Sequence, residues 1–365
     1  MQHTLKHAPY ERHVHFRRGN MTKAVAPYTA RQCWGGVIMP NTAPHILTPE
    51  DAVEYRDFII SITGKNFTPF MVGYLTAVTS PEEVKRGYKA GLWSAMKVYP
   101  RAAGGHGTTN AEDGINMLEL ANHPALPIMQ EIGMPLLIHP EVNVDKNGVE
   151  TDEFDREKLC VAVLRNLRRR FKRLKISAEH GTSVELAKFM ERYGDPETMV
   201  CTVTTQHLMH DRNDLLRGGF QPHLRCYPIM KRRESRDAWR ALTTSGAPFV
   251  GAGTDSAPHP THAKERARGC AGGVFTAHAM VPLYTQVFDE MNSLEYLDNF
   301  LGVNGLSFLG LEPKLAEIVL TKQPWTMDKM IPVAHGDKVR PYGFHEDPDE
   351  RFQFQWSIDS ISCDQ

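Results

Sequence analysis

Short apolar, β-rich runs recur along the chain, separated by longer stretches whose apolar residues fall at helical spacing. The runs Arg12–Phe16, Gly35–Met39, Thr68–Leu75, Ser94–Tyr99, Pro135–His139, Lys175–His180, Met199–Thr205 and Pro248–Thr254 predict eight strands. Two helix starts are written plainly. Thr48-Pro49-Glu50-Asp51 places an N-cap before a proline in the first turn with acids following, and Ser80-Pro81-Glu82-Glu83 repeats the arrangement. Further helices are predicted near 111–132, 155–173, 183–193, 233–244, 276–292 and 295–302. Strands alternating with helices imply a parallel sheet, because parallel neighbours need crossover connections. Eight is the number that closes a (β/α)8 TIM barrel, with its active site at the C-terminal ends of the strands. An open doubly wound sheet is the rival, yet neither G-x-G-x-x-G after the first strand nor G-x-x-x-x-G-K-[ST] occurs. Residues 1–330 are predicted to form a single barrel. Residues 331–365, with Pro341, Asp347-Pro348-Asp349 and a polar end, are expected to be an irregular extension.

Composition narrows the class without choosing a chemistry. The formal net charge is −1, so nothing draws the surface as a whole to nucleic acid or anionic lipid. The basic run Arg168-Arg169-Arg170-Phe171-Lys172-Arg173 reads as a solvated helix face and C-terminus. Six cysteines are scattered without C-x-x-C spacing, as expected of free thiols in a reducing compartment. No run approaches the ~18 apolar residues of a membrane span, and the N-terminus lacks a signal-peptide stretch. A cytoplasmic protein acting on a small molecule, with no nucleic-acid or membrane partner, is the expectation.

The strand ends carry the chemistry. Strand one ends in His13-Val14-His15-Phe16-Arg17, strand two in Met39-Pro40-Asn41, and strand four carries Lys97 before Val98-Tyr99-Pro100. Strand five ends at His139, strand six at His180 and strand eight at Asp255, with His259 four residues on. Each has an ordinary reading. A lone histidine at a strand end is more often a hydrogen-bonded structural residue than a ligand, Asp255 could cap a turn, and Lys97 could pair with an acid. His13 and His15 say more, since a period of two sends both imidazoles to one face. Collected at one end of one barrel, the residues point to a site. Four neutral imidazoles and a carboxylate suit zinc or a similar borderline metal. Five ligands exceed what one catalytic zinc with an open position takes, which points to two metals. Two neighbouring dications need a bridging anion, which a plain ammonium cannot supply.

The segments His13-x-His15-x-Arg17, Met39-Pro40-Asn41, Lys97-x-Tyr99-Pro100, Gly133-Met134-Pro135-Leu136-Leu137-x-His139, Glu179-His180, Gln206-His207-Leu208 and Gly253-Thr254-Asp255-Ser256-Ala257-Pro258-His259 together resemble dihydroorotase, in its shorter bacterial and yeast-type branch. The similarity runs from about residue 8 to about 310, including Pro222-His223-Leu224-x-Cys226, Cys270-Ala271-Gly272 and Val303-Asn304-Gly305. H-x-H alone belongs to the whole amidohydrolase superfamily; Gly-Thr-Asp-Ser-Ala-Pro-His and Met-Pro-Asn are specific in this setting. The resemblance implies two Zn2+ per chain. His13, His15 and Asp255 would hold the more buried ion and His139 and His180 the more exposed one. Lys97, carboxylated by CO2, would bridge them. It implies that Asp255 is general base and then acid in opening the cyclic amide of L-dihydroorotate to N-carbamoyl-L-aspartate, in de novo pyrimidine biosynthesis. Arg17, Asn41 and His259 would bind the substrate carboxylate, backbone groups of Tyr227 and Ala271 the ring amide, and Thr108 and Thr109 would close over the substrate from a loop. It also favours a homodimer.

The sequence departs from the family pattern in places. Pro140 follows the fifth-strand histidine where glycine is frequent, Tyr227 replaces a smaller apolar residue, and Thr205 replaces a proline. Residues 101–109 are a few longer than expected, and glycines with His106 make that loop mobile by composition. Two other readings stand beside dihydroorotase. One is a cyclic amidase of the hydantoinase or dihydropyrimidinase kind, against which Arg17 and Asn41 count, because substrates lacking an α-carboxylate give them nothing to bind. The other is a non-catalytic scaffold, against which the retention of all six metal-binding positions counts.

Overall fold

The computed structural model describes residues 1–101, 113–266 and 268–363. All eight expected strands form, as Glu11–Val14, Gly35–Ile38, Thr68–Leu75, Ala95–Val98, Leu136–Ile138, Ile176–Ala178, Met199–Val203 and Val250–Ala252. They lie in one parallel sheet in chain order, with helices between them, and curl into a nearly closed TIM barrel. These strands are buried on both faces, as parallel strands covered by helices require. The two faces separate cleanly: Val37, Val72, Ala95, Leu137 and Val200 pack together inside the barrel, with Leu306 and Phe308. Their chain neighbours, among them Ile38, Met96, Leu136, Ile138 and Cys201, pack outward in the helical layer. The period of two places Lys97 on the face of Ala95, and His139 on that of Leu137.

The seam between the first and eighth strands closes at its C-terminal end. Asp255 N–H donates to the His13 carbonyl (2.9 Å) and His15 N–H to the Ser256 carbonyl (3.1 Å). Beneath them the buried Glu11 carboxylate accepts from His13 N–H (2.9 Å), Thr254 N–H (2.9 Å) and the Thr254 hydroxyl (2.6 Å). Three candidate ligands thus stand where the barrel is stitched shut.

Both expected helix starts are present. Thr48 caps Pro49–Thr63 in a reciprocal box with Asp51, and the Ser80 side chain accepts from Glu83 N–H at the head of Pro81–Lys89. The helix expected over 111–132 is instead a 3-10 turn, Met117–Asn122, and a helix, Ala125–Ile132. Pro124 lies between them and lacks the N–H that a continuous helix would need. Gly133 then ends the second piece at φ +73° and turns the chain into the fifth strand.

Outside the barrel, Gln2–His7, Leu315–Thr321 and Ser357–Cys363 form a three-stranded antiparallel sheet that the sequence did not reveal. The segment beyond 330, expected to be irregular, therefore contributes regular structure. It is anchored by aromatics: Trp325 stacks on Phe354 with ring centres 4.1 Å apart, and Trp356 is fully buried with its indole N–H on Asp289 (3.1 Å). Among the described residues no helix is long and apolar enough to cross a membrane.

Candidate metal centre and substrate pocket

At the C-terminal ends of the strands, one cavity is lined by His13, His15, Arg17, Asn41, His139, His180, Tyr227 and Asp255, together with Tyr99, Ala257, Gly272 and Gly273. Residues spread over more than two hundred positions of sequence are thus brought together by the barrel. Three of them hold backbone conformations that L-residues rarely adopt: Arg17 at φ +62°, His180 at +42° and Asp255 at +47°. Among the described residues only Asn292 and His335 share that feature without glycine's freedom. Such strain persists where surrounding structure enforces it, and here it aims three polar side chains into one space.

The donor atoms fit a metal. One ligand atom each from His13, His180 and Asp255 lies within 4.8 Å of the others. One Asp255 carboxylate oxygen is 2.9 Å from His15 Nε2 and 3.4 Å from His13 Nε2, the latter without hydrogen-bond geometry. His139 and His180 have ring centres 4.5 Å apart. His13 Nε2 and His180 Nδ1 are buried with no hydrogen-bond partner among the described residues, an arrangement that costs free energy unless something else engages them. Burial lowers the basicity of all four histidines, His13 to about 4, so they stand as neutral imidazoles. Burial raises the Asp255 carboxyl, against the pull of His13, His139 and Lys97.

Lys97 is fully buried, with its Nζ lacking any hydrogen-bond partner among the described residues and lying 5.2 Å over the Tyr99 ring. Burial pushes its ammonium down to about 8, against the attraction of Glu179 and Asp255. An ammonium so placed is costly, which favours a neutral or modified nitrogen.

Two further carboxylates orient the histidines. Glu179 accepts from His13 Nδ1 at 2.6 Å, and Glu141 from His139 Nε2 at 2.8 Å. The first leaves His13 Nε2 as the lone-pair nitrogen, and the second leaves His139 Nδ1. Burial pushes the Glu179 carboxyl up, but His13 and Lys97 overcome it and hold the group down at about 2. The sequence reading gave neither acid a role. The available signal was the spacing, Glu179 before His180 and Glu141 two residues after His139.

The substrate side of the cavity is partly preformed. Arg17 Nε donates to the Pro258 carbonyl (3.2 Å), and its Nη2 lies 2.9 Å from His259 Nε2. That nitrogen is also 3.0 Å from the Gly272 carbonyl, and in one tautomer it can accept from Arg17 or donate to Gly272, not both. Asn41 is buried and hydrogen-bonds His15. The Tyr227 ring lies against Gly272, where a Cβ would meet it at 2.3 Å, so only glycine fits beneath it. Arg225 tethers that ring, with Nη2 3.1 Å from the Tyr227 hydroxyl and 2.8 Å from Glu153. His259 and Ala271 are not among the lining residues but adjoin two that are, Arg17 and Gly272 respectively. Thr108 and Thr109 lie outside the described residues.

No protein-family model matches the chain. Among solved structures it is similar to dihydroorotase from Saccharomyces cerevisiae in complex with 5-fluoroorotic acid, with a TM-score of 0.89, 25% identity and 99% of this chain and 100% of that one covered. L-hydantoinase from Arthrobacter aurescens, at 15% identity and a TM-score of 0.74 over 98% of this chain and 83% of its own, shares the barrel fold. Dihydroorotase from Campylobacter jejuni shows a TM-score of 0.83 and 30% identity, with 98% of each chain covered. On that identity and coverage, the chain belongs to the dihydroorotase family and is an enzyme that hydrolyses a cyclic amide.

Proposed function

We propose that the chain interconverts L-dihydroorotate and N-carbamoyl-L-aspartate, a zinc-dependent step in pyrimidine synthesis. The observation that carries the reading is one cavity in which Arg17 and Asn41 face His13, His15, His139, His180 and Asp255. A guanidinium binds a carboxylate with two parallel hydrogen bonds, and its position beside a metal-type donor set suits a ring amide that bears an α-carboxylate. The ligand of the yeast relative, 5-fluoroorotic acid, is a pyrimidine ring carrying a carboxylate, which supports the same choice.

In this reading His13, His15 and Asp255 would hold one zinc and His139 and His180 a second, with Lys97, carboxylated on Nζ, as the shared anionic ligand. Zinc at that place supplies a water acidified to a pKa of about 7 and a polarised amide carbonyl. Asp255 takes the proton released as water adds to the ring carbonyl carbon, and returns it to the ring nitrogen as the C–N bond breaks. Arg17, Asn41 and His259 hold the carboxylate. The ring is oriented by the backbone of Tyr227 and Ala271. The Ala271 N–H already donates to the Ala263 carbonyl (3.1 Å), so a ring N–H would meet the Ala271 carbonyl, which already accepts from Lys264 Nζ (2.9 Å) and, at 3.7 Å, from the weak donor Cys270 Sγ.

The test is direct. The purified protein should cyclise N-carbamoyl-aspartate, open dihydroorotate and carry two zinc ions per chain. Preference for hydantoin or dihydrouracil would overturn the substrate assignment, and a metal-free active protein would overturn the zinc.

A further inference from the structure

Lys264 closes the short helix Thr261–Lys264, five residues after His259, and only 3% of its surface is exposed. Its Nζ donates to three backbone carbonyls: Arg225 (2.8 Å), Ala271 (2.9 Å) and Gly273 (2.6 Å). An ammonium has three hydrogens, and all three are used. The acceptors belong to two different loops. Arg225 leads into Tyr227, and Ala271 and Gly273 flank Gly272; Tyr227 and Gly272 both line the cavity, with the Tyr227 ring resting against Gly272. Among the described residues, the only direct backbone link between these loops around the ammonium is Gly273 N–H to the Arg225 carbonyl, at 2.8 Å.

Burying an ammonium costs several kcal/mol, a cost met only when its hydrogens are matched by good acceptors. An apolar residue could fill the same volume without that cost. What an ammonium adds is direction, since three carbonyls from two loops must converge on one nitrogen. The result fixes how the Tyr227 segment is set against the Ala271–Gly273 turn, and with it the shape of the cavity wall that the two form together.

We propose that Lys264 is a positioning residue for substrate binding: it sets how the two loops that hold the substrate's ring amide are placed against each other. The proposal rests on the reading that backbone groups of Tyr227 and Ala271 contact that ring. Lys264 touches neither substrate nor any candidate metal ligand, so its loss acts through ring orientation and leaves metal binding intact.

The experiment compares the zinc-loaded wild type with Lys264→Met, which keeps the aliphatic stem without the charge, and with Lys264→Arg. Expected for Lys264→Met is a fall in kcat/KM for dihydroorotate of about 10- to 100-fold, carried mainly by KM, because small misplacements of a bound ring have effects of that size. Zinc content should match the wild type, and Lys264→Arg should recover part of the loss. A residue with only a structural role would lower the thermal midpoint and leave KM alone, so a folded Lys264→Met with wild-type KM overturns the proposal. If Lys264→Met does not fold, Lys264→Gln, which keeps two donors, takes its place under the same criterion. A wild type inert toward dihydroorotate would overturn the functional reading and this proposal together. An active wild type with an indifferent Lys264→Met would overturn this proposal alone.

Discussion

His13 Nδ1 lies 2.6 Å from a Glu179 carboxylate oxygen, and both side chains are 1% exposed. The pair joins the first barrel strand to the end of the sixth, and it decides which imidazole nitrogen faces the cavity. A carboxylate behind a ligating histidine fixes the tautomer and raises the ligand's basicity, and its removal typically costs 10- to 100-fold in metal affinity. Glu179→Gln keeps an acceptor for Nδ1 but removes the charge. The expected outcome is a folded protein whose metal affinity, measured by competition with a chelator, falls by about that factor. Unchanged affinity would show that hydrogen bonding alone, without the charge, is enough.

Asp255→Asn keeps the side chain's size and removes the proton acceptor. The protein should stay folded and largely metal-loaded while turnover falls by about 10²–10⁴-fold, the range that general acid–base catalysis contributes. Near-normal activity in a fully loaded variant would take Asp255 out of the proton-transfer role.

Arg17 should act through the substrate carboxylate. Arg17→Met deletes a charge-assisted contact, a loss on the order of 2–4 kcal/mol in kcat/KM. For a slow substrate without that carboxylate the loss should be much smaller. Equal losses for both kinds would count against the anchor and favour a hydantoinase-like specificity.

Thr108 and Thr109 are expected to close over bound substrate, so changing both to alanine should depress activity with zinc content intact. Kinetics unchanged by the double substitution would mean that this longer loop does not act as a lid.

The barrel was readable because its strands, buried on both faces, are mostly written as short apolar runs that alternate with helical segments, two of which start plainly at Thr48 and Ser80. The antiparallel sheet was not. Gln2–His7 and Ser357–Cys363 both pair with Leu315–Thr321, so the hydrogen bonds that make Gln2–His7 a strand come from the far end of the chain, and those of Ser357–Cys363 from a strand well before it. At the candidate site, the gathering of His13, His15, Lys97, His139, His180 and Asp255 at one end of the barrel was readable because each lies near the C-terminal end of a strand. Glu141, Glu179 and Lys264 were not, because each acts on a group that neighbours it only after folding. A glutamate beside a histidine in sequence does not reveal whose imidazole it will hold: Glu179 adjoins His180 but bonds to His13.

Lys97 offers the sharpest test, because its ordinary chemistry fits its surroundings worst. An amine near its unperturbed pKa of about 10.4 would be charged, and would repel metal ions held by the histidines around it. Yet its Nζ is buried with no hydrogen-bond partner among the described residues, and burial pushes it down to about 8. That direction raises the fraction of neutral amine, the only form that attacks CO2. The carbamate so formed would be an anion with two oxygens, able to serve both of the zinc ions proposed above. Lys97→Ala should therefore lose metal and activity together, since nothing then offsets the repulsion between two dications. A short carboxylic acid in solution should enter the vacated space and restore part of both. Mass spectrometry under native conditions should show the wild type heavier by one CO2 per chain, a mass that disappears on acidification. If two zinc ions bind and that mass is absent, Lys97 is not the bridge. If one zinc binds beside an unmodified lysine, the site is mononuclear, with Asp255 still the group that moves the proton.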